Sequence, residues 1–581
     1  MVFRGRSQTA ATTASEPARD RDSLVDELAA ALVGADAVSP ADLAIARGAD
    51  PHTEAELVSL LFKTERRGAN RASIMSTWAT LHGLEVIDLR QVAPDESTVA
   101  LIDERTCRNL KCLPLRQENG AVHVVLSDPS RKHRAAVTTH FTTPVTFSVA
   151  LEQEISSTLD RMYRADAEID ALSKAFEASD STQALLAAAQ QTDDDDAPVV
   201  QIANRIIAQG LRDRASDVHV EPMNDHIRVR FRIDGNMVDT FTLPLSAHAA
   251  LVSRYKILGG MNIVERRRPQ DGQFSMTVDG RDMDVRVSSL ATVFGEKVVM
   301  RLLDKSRAAL ELRQLGMPVA TYEEWARLIH APFGMVICAG PTGAGKTTTL
   351  YATLRAINSG GKNVMTIEDP VEYVFPGINQ IQTNEQAGLT FAQGLKAILR
   401  QDPDVILVGE VRDADTARIA VQSALTGHLV LSSLHGTDSV AALHRMLDMG
   451  IESFLIASSV VAVIGQRLLR RICDACKEPY EPGPEEMAVW HREGRNPKSQ
   501  FWRGAGCTFC AGTGFRDRIG VYELLRVTPE LRRLIVGWAT QEELRRLAVS
   551  QGMRTLVEEA LTLVENDVTT IAEVVRTLYA A

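Results

Sequence analysis

The stretch MVICAGPTGAGKTTTLYATL, residues 335–354, allows few folds. It reads as a short apolar strand, a glycine-rich turn and a helix. Gly340, Gly345, Lys346 and Thr347 satisfy the pattern G-x-x-x-x-G-K-[ST]. Such a loop needs a buried strand that hands the chain directly to a helix N-terminus. The glycines let backbone N–H groups close around phosphate oxygens, and the helix adds its positive end. The surrounding chain supplies the rest of that architecture. MVICAG, NVMTIED, VILVGE and HLVLSSLH are short apolar runs that alternate with helical segments from about residue 312. That rhythm predicts a parallel sheet and an α/β fold.

The loop defines a chemistry as well as a fold. Pro341, Thr342, Gly343, Ala344 and Thr348 complete the cradle around Gly340, Gly345, Lys346 and Thr347. Lys346 is placed to neutralise the β- and γ-phosphates, and the Thr347 hydroxyl to ligate Mg²⁺. In DPDVILVGEVRD, a four-residue apolar strand delivers Glu410 to the sheet edge, where an acid holds the Mg²⁺ or its water. TIEDPVEY places Glu368, Asp369 and Glu372 within five positions at the end of another strand. Acids so near a phosphate site make sense if a metal or a reacting water lies between. One of the three is expected to orient or deprotonate the attacking water, and the residues alone do not say which. The chain has no Asn-Lys-x-Asp guanine signature, so the expected nucleotide is ATP.

Four of the seven cysteines are paired, Cys473-x2-Cys476 and Cys507-x2-Cys510. Two such half-sites can close a tetrahedral four-thiolate shell, for which Zn²⁺ is the default ion. A closed shell leaves no open position, so the role expected is structural. Cys107, Cys112 and Cys338 are scattered and read as packed thiols.

The organisation predicted is a polar, disordered stretch over 1–22, a helical region over 23–90, a small α/β module over 91–165 and an acidic linker over 166–197. The linker contains the aspartate run 193–196. An α+β domain follows over 198–308, with two Asp-Gly hairpins at Asp234-Gly235 and Asp279-Gly280. The phosphate-loop domain occupies 309–581 and includes a tetracysteine subdomain at 471–515. FLIASSVVAVIG, residues 454–465, reads as a buried helix, too short to cross a bilayer of about 20 residues. The N-terminus carries no secretory signal, so the expected location is cytoplasmic. The net charge of −11 speaks against wrapping nucleic acid.

These stretches together resemble the secretion ATPases of the type II secretion and type IV pilus assembly family, in its assembly branch, over roughly residues 95–581. The resemblance is carried by ASDVHVEP, RVRFRIDG, RRPQDGQF, GPTGAGKTTTL, TIEDPVEY, ILVGEVRD, TGHLVLSSLH, the two CxxC pairs and GTGFRDRIGVYE. It implies a RecA-like core, a preceding PAS-like domain that covers the nucleotide, and a zinc-bearing insertion. It implies Glu372 as general base supported by Glu368 and Asp369, Glu410 as the Walker B glutamate, and His428 and His435 as γ-phosphate sensors. Arg232, Arg286 and Arg301 lie where the family offers arginines to the nucleotide. It further implies a homo-hexamer on the cytoplasmic face of the inner membrane that drives a polytopic platform protein. The small N-terminal module would dock it to a membrane-anchored adaptor. Some relatives bind cyclic di-GMP through an Arg-Leu-Gly type repeat in their first helices. No clear version stands here, so that ligand is not expected.

Two other readings use the same core. A nucleic-acid translocase would need a basic channel, against which the charge and the tetracysteine insertion both speak. A nucleotide-gated scaffold with little turnover would not need Lys346, Glu372 and Glu410 intact. The retraction branch of the family generally lacks both the tetracysteine insertion and the long N-terminal region.

Overall fold

The computed structural model describes residues 21–47, 51–64, 71–89, 92–162, 197–279, 281–304, 310–358, 360–507 and 510–579, with Ile169 and Leu172. Residues 1–20 of the stretch read as a disordered N-terminus, and most of the acidic linker, lie outside these, while Arg21 and Asp22 already belong to a helix.

The N-terminal region is helical, as its periodicity predicts. Helices Arg21–Gly34, Pro40–Arg47, Glu54–Thr64 and Arg71–Leu81 bury Leu28, Leu32, Leu57, Ile74 and Trp78 in one core. A three-stranded sheet follows, β1 (Cys112–Glu118), β2 (Ala121–Leu126) and β3 (Val145–Val149), in order β1-β2-β3. A bridge from Val86 to Val149 ties the two pieces together.

The next sheet has six strands in order β6-β5-β4-β9-β8-β7. They are β4 (Ala215–Pro222), β5 (His226–Ile233), β6 (Asn236–Pro244), β7 (Gln270–Val278), β8 (Arg281–Thr292) and β9 (Gly295–Asp304), paired antiparallel throughout. The alternation in HIRVRFRI decides which face is which. Ile227, Val229, Phe231 and Ile233 point inward against helices Pro198–Arg212 and His248–Leu258. Each such side chain stabilises by about 2 kcal/mol on burial. Arg228, Arg230 and Arg232 therefore take the opposite face. Register sets Arg232 beside Asp217, Asp217 beside Arg301, and Arg301 beside Arg286. Both hairpins turn where expected, with Asp234 and Asp279 at positive φ of 48° and 51°.

The phosphate-loop domain is built on a seven-stranded sheet of order β12-β11-β13-β14-β10-β15-β18. Its strands are β10 (Gly334–Ala339), β11 (Val364–Glu368), β12 (Asn379–Gln382), β13 (Val405–Val408), β14 (Leu429–Leu434), β15 (Val460–Ile472) and β18 (Phe515–Arg526). All neighbours are parallel except β15 and β18. The central strands β10 and β13 are apolar and buried along their whole length because helices cover both faces. A two-stranded ribbon, β16 (Lys477–Tyr480) and β17 (Phe501–Gly504), carries the tetracysteine region. Parallel pairing brings the C-terminal ends of β10, β11, β13 and β14 to one edge, where such sheets bind ligands.

One expectation fails here. Residues 454–465 are not one helix. A helix runs Ser453–Ser459, and β15 begins at Val460. The β-branched residues Val460, Val461, Val463 and Ile464 suit a strand, and β10 offers an open edge for them to pair with.

Candidate active site and metal centre

The phosphate loop leaves β10 at Gly340 and enters helix Lys346–Ile357. Gly343 and Gly345 adopt φ of 77° and 86°, which side chains other than glycine resist. Pro341, Thr342, Gly343, Thr347 and Thr348 are exposed, so the mouth of the loop is open. Lys346 Nζ donates to the carbonyls of Gly340 and Pro341, at 2.8 and 3.0 Å. Burial lowers the proton affinity of this lysine, and Glu410 nearby works the other way.

The three acids of TIEDPVEY part company. Glu368 is buried and receives hydrogen bonds from Tyr351, from Thr366 at 2.6 Å and from Gln380 at 3.2 Å. It braces the sheet against the phosphate helix. Asp369 pairs with Arg412 at 3.3 Å. Glu372 faces the six-stranded sheet, where Arg286 Nη1 lies 3.2 Å from its Oε2. Arg286 Nη2 also donates to the Val371 carbonyl at 3.2 Å.

Glu410 stands just past β13 and is engaged on both oxygens, by His435 Nε2 at 2.7 Å and Arg412 Nε at 2.8 Å. Thr347 and Glu410 offer a hydroxyl and a carboxylate at one sheet edge, hard oxygen donors of the kind Mg²⁺ takes.

Not every candidate joins the site. Arg301 pairs with Asp217 at 3.0 Å and Arg232 with the same carboxylate at 3.6 Å, so both stay on the sheet beside Arg286. His428 precedes β14 while His435 follows it, and six residues of strand put them about 20 Å apart. His428 Nδ1 bonds the Ser423 carbonyl at 2.9 Å, so within one chain it does not share the phosphate site. Arg412 and Tyr351 escaped the sequence reading. Arg412 stands in the motif GEVRD, and its neighbour Glu410 took the attention. Tyr351 looks like an ordinary apolar position of the helix.

The tetracysteine site assembles from residues 34 positions apart. All four sulfurs lie within 4.8 Å of one another. Three separations suit a metal: Cys473 to Cys507 at 3.9 Å, Cys476 to Cys510 at 3.9 Å and Cys507 to Cys510 at 3.8 Å. A tetrahedral shell with Zn–S bonds of about 2.3 Å requires S–S distances of about 3.8 Å. The Gly506 and Gly514 amides donate to Cys476 Sγ and Cys510 Sγ at 3.3 and 3.2 Å, as thiolates demand. The donor set fits Zn²⁺.

Comparison with known proteins gives the family. A family model described as type II/IV secretion system protein matches residues 192–576. The chain belongs to that family. The type II secretion system protein HxcR of Pseudomonas aeruginosa is 45% identical over 382 residues, covering 66% of this chain and 78% of its own. The type IV pilus assembly ATPase PilB of Myxococcus xanthus is 37% identical over 508 residues, covering 85% of this chain and 89% of its own. This secretion-system chain is an ATPase of mixed α/β fold. The crystal structure of the Legionella pneumophila ATPase DotB shares that fold at a TM-score of 0.50 and 19% identity, over 65% of this chain and 95% of the other. A second family model, the MshEN domain, matches residues 82–169. Among the described residues, no helix of this secretion-system ATPase is long and apolar enough to cross a membrane.

Proposed function

We propose that the chain is the motor of a hexameric ring that spends ATP to assemble a type IV pilus or a type II secretion pseudopilus. It would act from the cytoplasmic face of the inner membrane, on a polytopic platform protein. Its N-terminal module would dock to a membrane-anchored adaptor. The observation that carries this reading is the reach of Arg286 from the six-stranded sheet to Glu372 on the edge of the ATPase sheet. A covering domain whose arginine touches the acid edge of the site is built to respond to a γ-phosphate.

The chemistry follows from the residues. Lys346 leaves the Gly340 and Pro341 carbonyls for the β- and γ-phosphates, and backbone N–H groups of residues 342–348 enclose them. Thr347 and Glu410 would hold Mg²⁺, which when bound would supply positive charge beside the phosphates. Glu372 takes the proton of the attacking water. Arg286 exchanges Glu372 for the charge that develops on the transferring phosphoryl group, with Arg301 beside it on the sheet. His435 holds Glu410 in place and feels the loss of the γ-phosphate. Zn²⁺ on Cys473, Cys476, Cys507 and Cys510 would fix the fold of the C-terminal lobe without entering the reaction.

The MshEN match favours a second reading of the N-terminal module, against the expectation drawn from its helices. That module would bind cyclic di-GMP. Equilibrium binding of cyclic di-GMP to the full chain decides it: saturable binding supports the ligand role, and none leaves docking alone.

The test of the main reading is ATP turnover per chain against protein concentration, with and without DNA, for wild type and Glu410→Gln. Turnover that climbs with concentration, ignores DNA and vanishes in the variant supports a ring with shared sites. Turnover that is flat with concentration and stimulated by DNA overturns it in favour of a translocase.

A further inference from the structure

β15 runs parallel to β10, with Gly465 beside Ala339. Where β10 ends and the phosphate loop begins, β15 continues, so Gln466 and Arg467 form a floor beneath Gly340. A Cβ on Gly340 would stand 2.7 Å from the Gln466 carbonyl oxygen and 3.7 Å from Arg467 Nη1. Successive residues of a strand point to opposite faces. Gln466 takes the side of the phosphate helix, where its Oε1 accepts from Thr349 Oγ1 at 2.8 Å. Arg467 takes the other side, toward the turn that joins β14 to helix Ser439–Asp448.

Arg467 is 6% exposed. A guanidinium carries five N–H donors, yet the hydrogen bond this one makes runs from Nη1 to its neighbour's carbonyl, that of Gln466, at 3.1 Å. Among the described residues, no carboxylate sits within ion-pair distance of it. The acids that act on it from further off, Asp438 and Glu523, are already engaged. Asp438 receives Arg545 at 2.8 Å and the Ala441 amide at 2.9 Å. Glu523 receives the Ser439 amide at 3.1 Å and the Leu556 amide at 3.2 Å. The other donors of Arg467 meet no protein partner among the described residues and touch solvent rather than being sealed in the core, which leaves the guanidinium free for a further function.

Its position suggests that function. Lys346 Nζ rests on the carbonyl of Gly340, and Arg467 lies against the same glycine from beneath. Two cations therefore flank one residue of the loop, and they repel. A polyphosphate in the loop turns that repulsion into attraction.

We propose that Arg467 is a second fixed cation of the phosphate loop. It is a positioning residue that holds Gly340 from below and favours a highly charged polyphosphate. The proposal rests on the loop being the ATP site.

The test is equilibrium binding of a fluorescent non-hydrolysable ATP analogue to full-length wild type, Arg467→Gln, Arg467→Lys and Lys346→Ala, with the Tm of each. Arg467→Gln should weaken the analogue about tenfold, the scale of one desolvated charge at close range. Arg467→Lys, which keeps the charge, should recover most of that loss. Arg467→Gln binding within twofold of wild type, while Lys346→Ala fails to bind, overturns the proposal and leaves the loop intact as the site. Equal losses in Arg467→Gln and Arg467→Lys, matched by equal falls in Tm, overturn it in favour of plain packing. Lys346→Ala binding normally would remove the site on which the proposal rests, and the proposal with it.

Discussion

Arg286 meets Glu372 across the two large sheets, with Nη1 3.2 Å from Oε2. The contact is an ion pair without hydrogen-bond alignment, and among the described residues that buried oxygen accepts no hydrogen bond at all. A carboxylate held by charge alone, with a lone pair unclaimed, is ready to let its partner go. The guanidinium that holds it is equally ready to be drawn to a phosphate.

Glu372→Gln therefore should bind ATP as wild type does and turn it over at least about a hundredfold more slowly, the scale of a lost general base. Rapid-quench turnover beside nucleotide binding measures both. Loss of binding with the rate would make Glu372 structural.

Lys346→Ala removes the cation that reaches the phosphates. Turnover should fall to background, and ATP affinity should fall with it, because no other lysine lies in the loop. A variant that hydrolyses ATP at the normal rate would falsify the assignment of this loop.

How far the sequence foretold this arrangement depends on range. Lys346, Thr347 and Glu410 were legible because each is set by its own few neighbours: a glycine loop, or the end of an apolar strand. HIRVRFRI announced its strand and both of its faces, since alternation is a local pattern. β15 was misjudged because VVAVIG is apolar throughout, and an unbroken apolar run has no period to separate strand from helix. The partner of Glu372 was unreadable for another reason. Arg286 lies 85 positions before Val371, on a different sheet, and only tertiary packing joins them. His428 shows the converse error: the resemblance placed it with His435 at one site, and the intervening strand holds them at opposite ends.

Glu221 offers a test by pH. Burial alone would raise its pKa, but Arg230 and Lys297, at 2.9 and 2.8 Å, overcome that and bring it down to about 2 from the usual 4.5. A depressed folded pKa contributes stability that is fully present above the unfolded value and is lost as pH falls toward the folded one. Glu221→Gln should cost about 2 kcal/mol at pH 7, the scale of orphaned partners. The difference in Tm between wild type and variant should hold constant from pH 8 to about 5, then narrow below about 4.5. A difference that widens with acid would contradict the ion-pair account.

Cys507→Ser tests the metal centre. With sulfurs 3.8 to 3.9 Å apart and amides aimed at two of them, wild type should carry about one Zn²⁺ per chain by elemental analysis. The variant should lose it, because three thiolates and a hydroxyl make a far weaker shell. The lobe should then loosen where the metal joins the Cys473 turn to the Cys507 loop, read as faster amide exchange in β16 and β17. The phosphate helix lies in a different part of the domain, so ATP affinity should stay near the wild-type value. Wild-type protein free of zinc after purification without chelator would end the metal assignment, and lost ATP affinity in the variant would mean that the tetracysteine lobe supports the nucleotide site directly.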